Sequence, residues 1–344
     1  MTLFENSSIY LIASIFILAA ISIGFFGVKM THVARKLAAN TGMGEAVMGA
    51  VFIGASTSLS GIIASVTAAS HGYPELAVSN ALGGIAAQTF FLAVADMFYR
   101  KANLEHAAAS AENLMMSAFL ISLLSIHIIA FTVPSLHILS VHPASYILIF
   151  GYLFGVRLLV KTHKMPMWLP RKTKETRIEH ELTQQQKMKN NNNRNWVYFS
   201  IYAVIVGFTG WILSQTGMAI VTETKLSEGL VGGVFTAVST SLPELVIAIT
   251  AVRLKSLTLA VGDIIGGNAF DTLFISVSDF AYTKGPIYNN VSLNEQFWLA
   301  VTVLMTAVVL MGLLHRERYG IINIGWESFT VFILYVMSLI YIAM

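Results

Sequence analysis

Two carboxylates stand where a membrane-spanning helix does not ordinarily carry them. Between Ser239 and Asp271 the chain reads STSLPELVIAITAVRLKSLTLAVGDIIGGNAFD, with Glu244 directly after a proline and Asp271 shortly after a Gly-Gly-Asn run. Both acids lie inside otherwise apolar segments. An acid at the middle of a bilayer helix costs about 2.5–3.5 kcal/mol on insertion scales, so a pair of them needs a compensating partner. A cation is the partner two such acids would share. Pro243 lacks an N–H, which removes one helical hydrogen bond and leaves a carbonyl one turn earlier free for an ion. Gly266-Gly267 is expected to weaken the second helix near the point where Asp271 turns inward.

The elements that must position these acids follow from composition. Of 344 residues 56% are hydrophobic and 11% charged, which excludes an ordinary soluble domain and predicts an all-α integral membrane protein. The chain has no cysteine, so thiolate metal sites and disulfides are excluded. At about 20 apolar residues per span, helices fall near 8–28, 44–70, 75–99, 112–133 and 141–160, and near 196–216, 227–252, 257–280, 294–314 and 321–343. The start, MTLFENSSIY, lacks the basic region of a cleavable signal, so 8–28 is kept as the first span.

Threading these ten expected spans puts all but Lys225 and Lys284 of the 21 Lys and Arg residues on one side. Basic loops stay in the cytoplasm, which predicts external termini, a cytoplasmic 161–195 loop and residence in the cell (cytoplasmic) membrane. That loop is polar, basic and ends in an Asn run. It reads as a tether between an N-terminal five-helix half, 1–160, and a C-terminal half, 196–344, with anionic-lipid contact as a further use of its charges.

Shifting the sequence against itself by 183 residues aligns 44–101 with 227–284 without a gap. Polar positions stay in register: Glu45 with Glu228, Ser56-Thr57-Ser58-Leu59 with Ser239-Thr240-Ser241-Leu242, Gly83-Gly84 with Gly266-Gly267, and Asp96 with Asp279. Five spans separate the copies, an odd number, so the second enters the membrane from the opposite side. Two inverted-topology five-helix repeats are therefore predicted, an arrangement in which secondary transporters place their site at the midplane, where broken helices meet.

With STSLPE at 239–244 and GDIIGGNAFD at 262–271, the chain resembles the cation/calcium exchanger superfamily, which includes sodium/calcium and proton/calcium exchangers. The resemblance covers the ten-helix plan, with its specific motifs confined to the two repeats. It implies alternating access around a central site to which Thr240, Ser241, Glu244 and Asp271 would contribute, with Gly267 where a Ser is usual. The first repeat departs from the family pattern. Ser60-Gly61 stands where Pro-Glu is expected, Gln88 replaces an Asn opposite Asp271, and Ile85 holds the position of Asn268.

Calcium takes six to eight oxygens. Glu244 and Asp271 offer up to four, and Thr57, Ser58, Gln88, Thr240, Ser241, freed carbonyls and water are the expected remainder. Two carboxylates balance one divalent ion, two monovalent ions, or one monovalent ion and a proton, with Gly61 leaving space for water. The expected function is antiport of Ca²⁺ or a related cation against Na⁺ or H⁺, with no cofactor. The expected partners are membrane lipid and the transported ions, no nucleic acid, and the chain is taken as a monomer.

Blander roles stand beside these. Glu244 and Asp271 would also serve as a polar tie between helices, and the paired Thr and Ser residues as small packing positions. Glu45 and Glu228 suit helix starts, Asp96 and Asp279 suit ion pairs with Arg100 and Lys284, and His71 suits an exposed loop. Asp263 is expected on the cytoplasmic access path, with Asn80 as its repeat partner. The rival functions are a transport-incompetent cation-binding sensor or scaffold and a monovalent cation/proton antiporter. An intramembrane enzyme is disfavoured, because no HExxH, nucleophile elbow or phosphate loop accompanies the acids.

Overall fold

A computed structural model describes residues 3–4, 7–38, 54–99, 102–164, 167–171, 173, 192–320 and 324–344. Among them the chain is helical, with one isolated β-bridge, between Ile138 and Val141. The long helices are α1 (Ile9–Ala38), α2 (Leu59–Ser70), α3 (Pro74–Asp96), α4 (Ala111–Thr132) and α5 (Pro143–Lys164), then α6 (Asn192–Thr224), α7 (Leu242–Arg253), α8 (Leu257–Ala281), α9 (Leu293–His315) and α10 (Trp326–Ala343).

Eight of these helices are long and apolar enough to cross a bilayer, and a ninth span is available if Glu228–Thr240 and α7 count as one helix bent by 44°. The 12-residue α2 is too short to cross alone. The first part of the expected 44–70 span, most of the 161–195 tether and the start of the expected 321–343 span lie outside the described residues. Two helices run well past their expected ends. α1 continues to Ala38 and α6 spans 33 residues from Asn192. Hydropathy marks where a helix becomes apolar, whereas the backbone stays helical until something stops it. For α6 the stop is Lys225, which turns to a φ of +60°.

α3 and α8 form the centre. In each, 89% of the most apolar 18-residue window is buried inside the protein, against 33% for α1 and 22% for α6. Two central helices with few lipid-facing positions are where polar residues can be kept, since each polar group then meets protein instead of hydrocarbon. α3 also passes very close to the stretch before α7: a Cβ on Gly83 would lie 2.1 Å from the Gly233 carbonyl oxygen, so only hydrogen fits there. That stretch, Val231–Thr236, is wound as a π-helix, a form that accompanies functional sites in other helices.

Candidate functional site: an asymmetric pair of buried acids

The helix break lies at Ser241, between Ala237–Thr240 and α7. Pro243 explains it, because its ring and its missing N–H cannot continue the preceding turn. A matching break lies at Ser58, between Gly54–Thr57 and α2, although no proline stands there. The expected weakening at Gly266-Gly267 does not occur: α8 runs unbroken from Leu257 to Ala281. Two glycines cost about 2 kcal/mol of helix propensity, which the packing of a helix buried on nearly every face overrides.

These breaks bring four of the expected site residues together. Ser58 Oγ donates to Asp271 Oδ1 at 2.5 Å, and Gln88 Nε2 donates to Asp271 Oδ2 at 2.6 Å. Gln88 Nε2 also reaches Ser241 Oγ at 3.4 Å. Gln88 and Asp271 are the two residues related by the 183-residue offset, and they touch. Glu244 is 2% exposed. Its Oε2 and Gln88 Oε1 are buried with no hydrogen-bond partner. Asp271 is thus held by neutral donors, and Glu244 is the acid with an oxygen still free. Tyr152 of α5, absent from the expected set, also lies near enough to sense Asp271.

Thr57 and Thr240 sit beside the breaks in matching ways. Each hydroxyl donates back three residues, Thr57 to Gly54 O at 2.9 Å and Thr240 to Ala237 O at 3.1 Å. Their donors are used locally, and their lone pairs remain. Thr57 also lies against the Glu244 carboxylate. Ser60 Oγ donates to Thr240 O at 3.3 Å, linking the two breaks directly.

The space expected beside Gly61 is not open. A Cβ on Gly61 would lie 2.6 Å from Cε2 of Phe274, so an aromatic ring from α8 occupies the place where an acid would start. The sequence signalled the missing acid but not what replaced it, because Phe274 reads as an ordinary apolar residue of α8. Among the described residues, no group of three or more His, Cys, Asp or Glu is arranged to hold a metal ion.

Of the outer acids, Asp279 behaves differently from expectation. Asp96 accepts from Leu104 N at 2.7 Å and Gly325 N at 3.2 Å, and Asp279 accepts from Ile287 N at 2.7 Å and His142 N at 2.8 Å. Both pairs of donors are themselves 183 residues apart. Asp279 therefore ties down loop backbone instead of pairing with Lys284, because a carboxylate that is 0% exposed gains more from fixed amides than from a surface lysine. Arg100 lies outside the described residues. Glu228 Oε2 accepts from Leu76 N at 3.0 Å, serving the start of α3 as well as its own helix, and Glu45 is outside the described residues. His71 is partly exposed, its Nδ1 2.8 Å from Thr67 O.

Comparisons with known proteins place the chain in a family. A family model described as sodium/calcium exchanger protein matches residues 11–160 and 194–344, and the chain belongs to that family. Structures of the sodium-calcium exchanger NCX_Mj, one of them soaked with Na⁺ and Ca²⁺, are 18% identical with TM-scores of 0.61, covering 96–97% of this chain and 98–99% of theirs. The H⁺/Ca²⁺ exchanger CAX is 15% identical with a TM-score of 0.68, covering 96% of this chain and 82% of its own. At these identities the likeness is one of fold. A search of curated proteins finds no match. The chain is a multi-pass membrane protein of the exchanger family.

Proposed function

We propose that the protein is a secondary active cation antiporter that carries Ca²⁺ or a related cation against Na⁺ or H⁺ by alternating access around Glu244 and Asp271. The observation that carries this reading is the unpartnered pair of buried oxygens, Glu244 Oε2 and Gln88 Oε1, beside an Asp271 already held by Ser58 and Gln88. Buried acceptors without donors are costly, and a hard cation is a ligand that satisfies such oxygens. Ser241, Thr240 and Thr57 complete the proposed oxygen set. Two acids give a load of one divalent ion, two monovalent ions, or one monovalent ion with a proton.

Ten spans in two inverted five-helix halves, 1–160 and 196–344 joined by 161–195, are part of the same proposal. The hydrogen bonds of Asp96 and Asp279, and of Thr57 and Thr240, recurring at one sequence offset support it. So does the segregation of basic residues, which favours external termini and a cytoplasmic tether in the cell membrane. The names of the structural neighbours favour calcium as one substrate. In reconstituted vesicles, a screen of calcium, sodium, potassium, magnesium and manganese with and without a pH gradient should reveal gradient-driven exchange. Glu244→Gln should reduce that exchange at least about 100-fold, as expected when a buried charge partner worth several kcal/mol is removed. Undiminished flux in Glu244→Gln would exclude this site.

A second reading, a cation-binding sensor or scaffold that does not transport, is favoured by the Phe274 ring beside Gly61. It predicts cation binding to the purified protein without flux.

A further inference from the structure

Asp263 is a third buried acid of the central helix, and nothing in the central site uses it. It lies on α8 eight residues before Asp271, roughly 12 Å along the axis, at the end where Arg253 and Lys255 stand. Its side chain is 2% exposed, and among the described residues neither carboxylate oxygen has a hydrogen-bond partner. The described cation nearest to it is Arg35 of α1, whose Nη2 stands 4.0 Å from Oδ2. Arg35 is itself incompletely satisfied: Nε and Nη2 are buried without hydrogen-bond partners, while the side chain as a whole is 22% exposed.

An ion pair built for stability closes to a charge-assisted hydrogen bond of about 2.7–2.9 Å. This one faces an acid whose oxygens are all free and stops short of contact. Between α1 and α7, a cavity of about 10 Å³ bounded by Thr31, His32, Arg35, Ile247 and Thr250 lies beside the guanidinium, close to the room one water needs. Ile247 and Thr250 are one and two turns beyond Glu244 on α7. α1 is pressed against the Pro243 bend itself, since a Cβ on Gly27 would meet Pro243 Cγ at 2.5 Å. The counter-ion Arg35 and the cavity thus lie between α1 and the helix that carries Glu244, and α1 also packs on the bend where that helix begins.

We propose that Asp263 is a waiting site for the transported cation on the basic side of the membrane, and that Arg35 is a tethered competitor occupying it between ions. This rests on the antiport reading. An entering hard cation takes the free oxygens of Asp263, Arg35 swings toward water, and the ion passes on to Glu244. When the ion leaves, Arg35 returns, so the buried acid never stands without a positive charge. Asn80, the repeat partner of Asp263, has no such role: its amide donates to Gly61 O at 3.1 Å and Ser65 Oγ at 2.8 Å. The waiting site exists on one side only.

The experiment measures calcium flux by the full-length protein in vesicles of both orientations. Arg35→Gln should lower the half-saturating calcium concentration at the basic face by about two- to five-fold, the competition expected from a loosely held ion pair, and leave the other face unchanged. Arg35→Lys keeps the competitor and should stay near wild type. Asp263→Asn should raise the half-saturating concentration at the basic face and abolish the effect of Arg35→Gln. Equal shifts at both faces, no shift, or additive effects of the two substitutions would overturn the waiting site. If the wild-type protein carries no flux, the antiport reading fails by itself. Calcium binding in detergent then decides the waiting site: Arg35→Gln must tighten binding and Arg35→Gln/Asp263→Asn must not, and identical binding in all three proteins removes it.

Discussion

The segment from Gly54 to Asp96 and the segment from Ala237 to Asp279 use the same hydrogen bonds to build their backbones and opposite chemistry to fill them. In both, a Thr hydroxyl caps the residue three before it, the helix breaks one residue later, and a terminal Asp ties down a loop amide eight residues on. At the centre the second segment keeps Glu244 and Asp271, whereas the first offers a glycine under a phenylalanine ring and an amide. The difference separates what a repeat needs for folding from what it needs for ion chemistry. Caps and breaks fix geometry and are retained on both sides. Charge is needed only to match the load, and here one side carries it.

Restoring the missing acid should break the comparison most severely. Gly61→Glu drives a Cβ into the Phe274 ring and buries a third carboxylate, so overpacking of about 1–3 kcal/mol adds to the cost of an unpaired charge. A large fall in the thermal midpoint of the detergent-solubilised protein is expected. Gly61→Glu/Phe274→Ala should recover much of it and bind calcium more tightly than wild type. If Gly61→Glu alone is as stable as wild type, the ring is not seated against the first repeat.

A smaller effect is expected at the contact between the halves. Gln88→Leu keeps the volume and removes the donor to Asp271, leaving a buried carboxylate oxygen to be satisfied otherwise, at a cost of about 1–3 kcal/mol. Cation affinity should change by roughly 5- to 150-fold by the same measure, read by calorimetry on the purified protein. Unchanged affinity would mean that Gln88 only packs.

The smallest expected effect tests the sameness of the two segments. Asp96→Asn and Asp279→Asn each keep shape but weaken bonds to backbone amides, and each should cost about 0.5–2 kcal/mol of stability. The two costs should agree within a factor of about two, the usual context scatter. A clear loss for one and none for the other, in matched thermal-melt series, would show that the common hydrogen-bond pattern is not a common structural element.

Much of this was legible in the sequence. The cost of acids inside lipid-length apolar runs named Glu244 and Asp271, and the 183-residue repeat then named Ser58 with Ser241 and set Gln88 opposite Asp271. Pro243 announced its own break through its missing N–H. The break at Ser58 was legible only through the repeat, since no residue there forbids a helix. Gly266-Gly267 misled: local propensity argued for weakness where burial on all faces decided for continuity. Asp279 misled too, since a lysine nearby in sequence said nothing of the amides of Ile287 and His142, brought to it by the fold.

The sequence by itself determined that the chain lives in a membrane, that its halves share a pattern, and that only one half carries the central acids. These follow from residue type and spacing, which local chemistry fixes. Tertiary structure alone decided that Asp271 is satisfied by Ser58 and Gln88 while Glu244 keeps a free oxygen, that Phe274 closes the space beside Gly61, and that Arg35 faces Asp263 at 4.0 Å. Each of these joins residues far apart in the chain, and which donor reaches which acceptor is set by how helices pack, not by the order in which they are written.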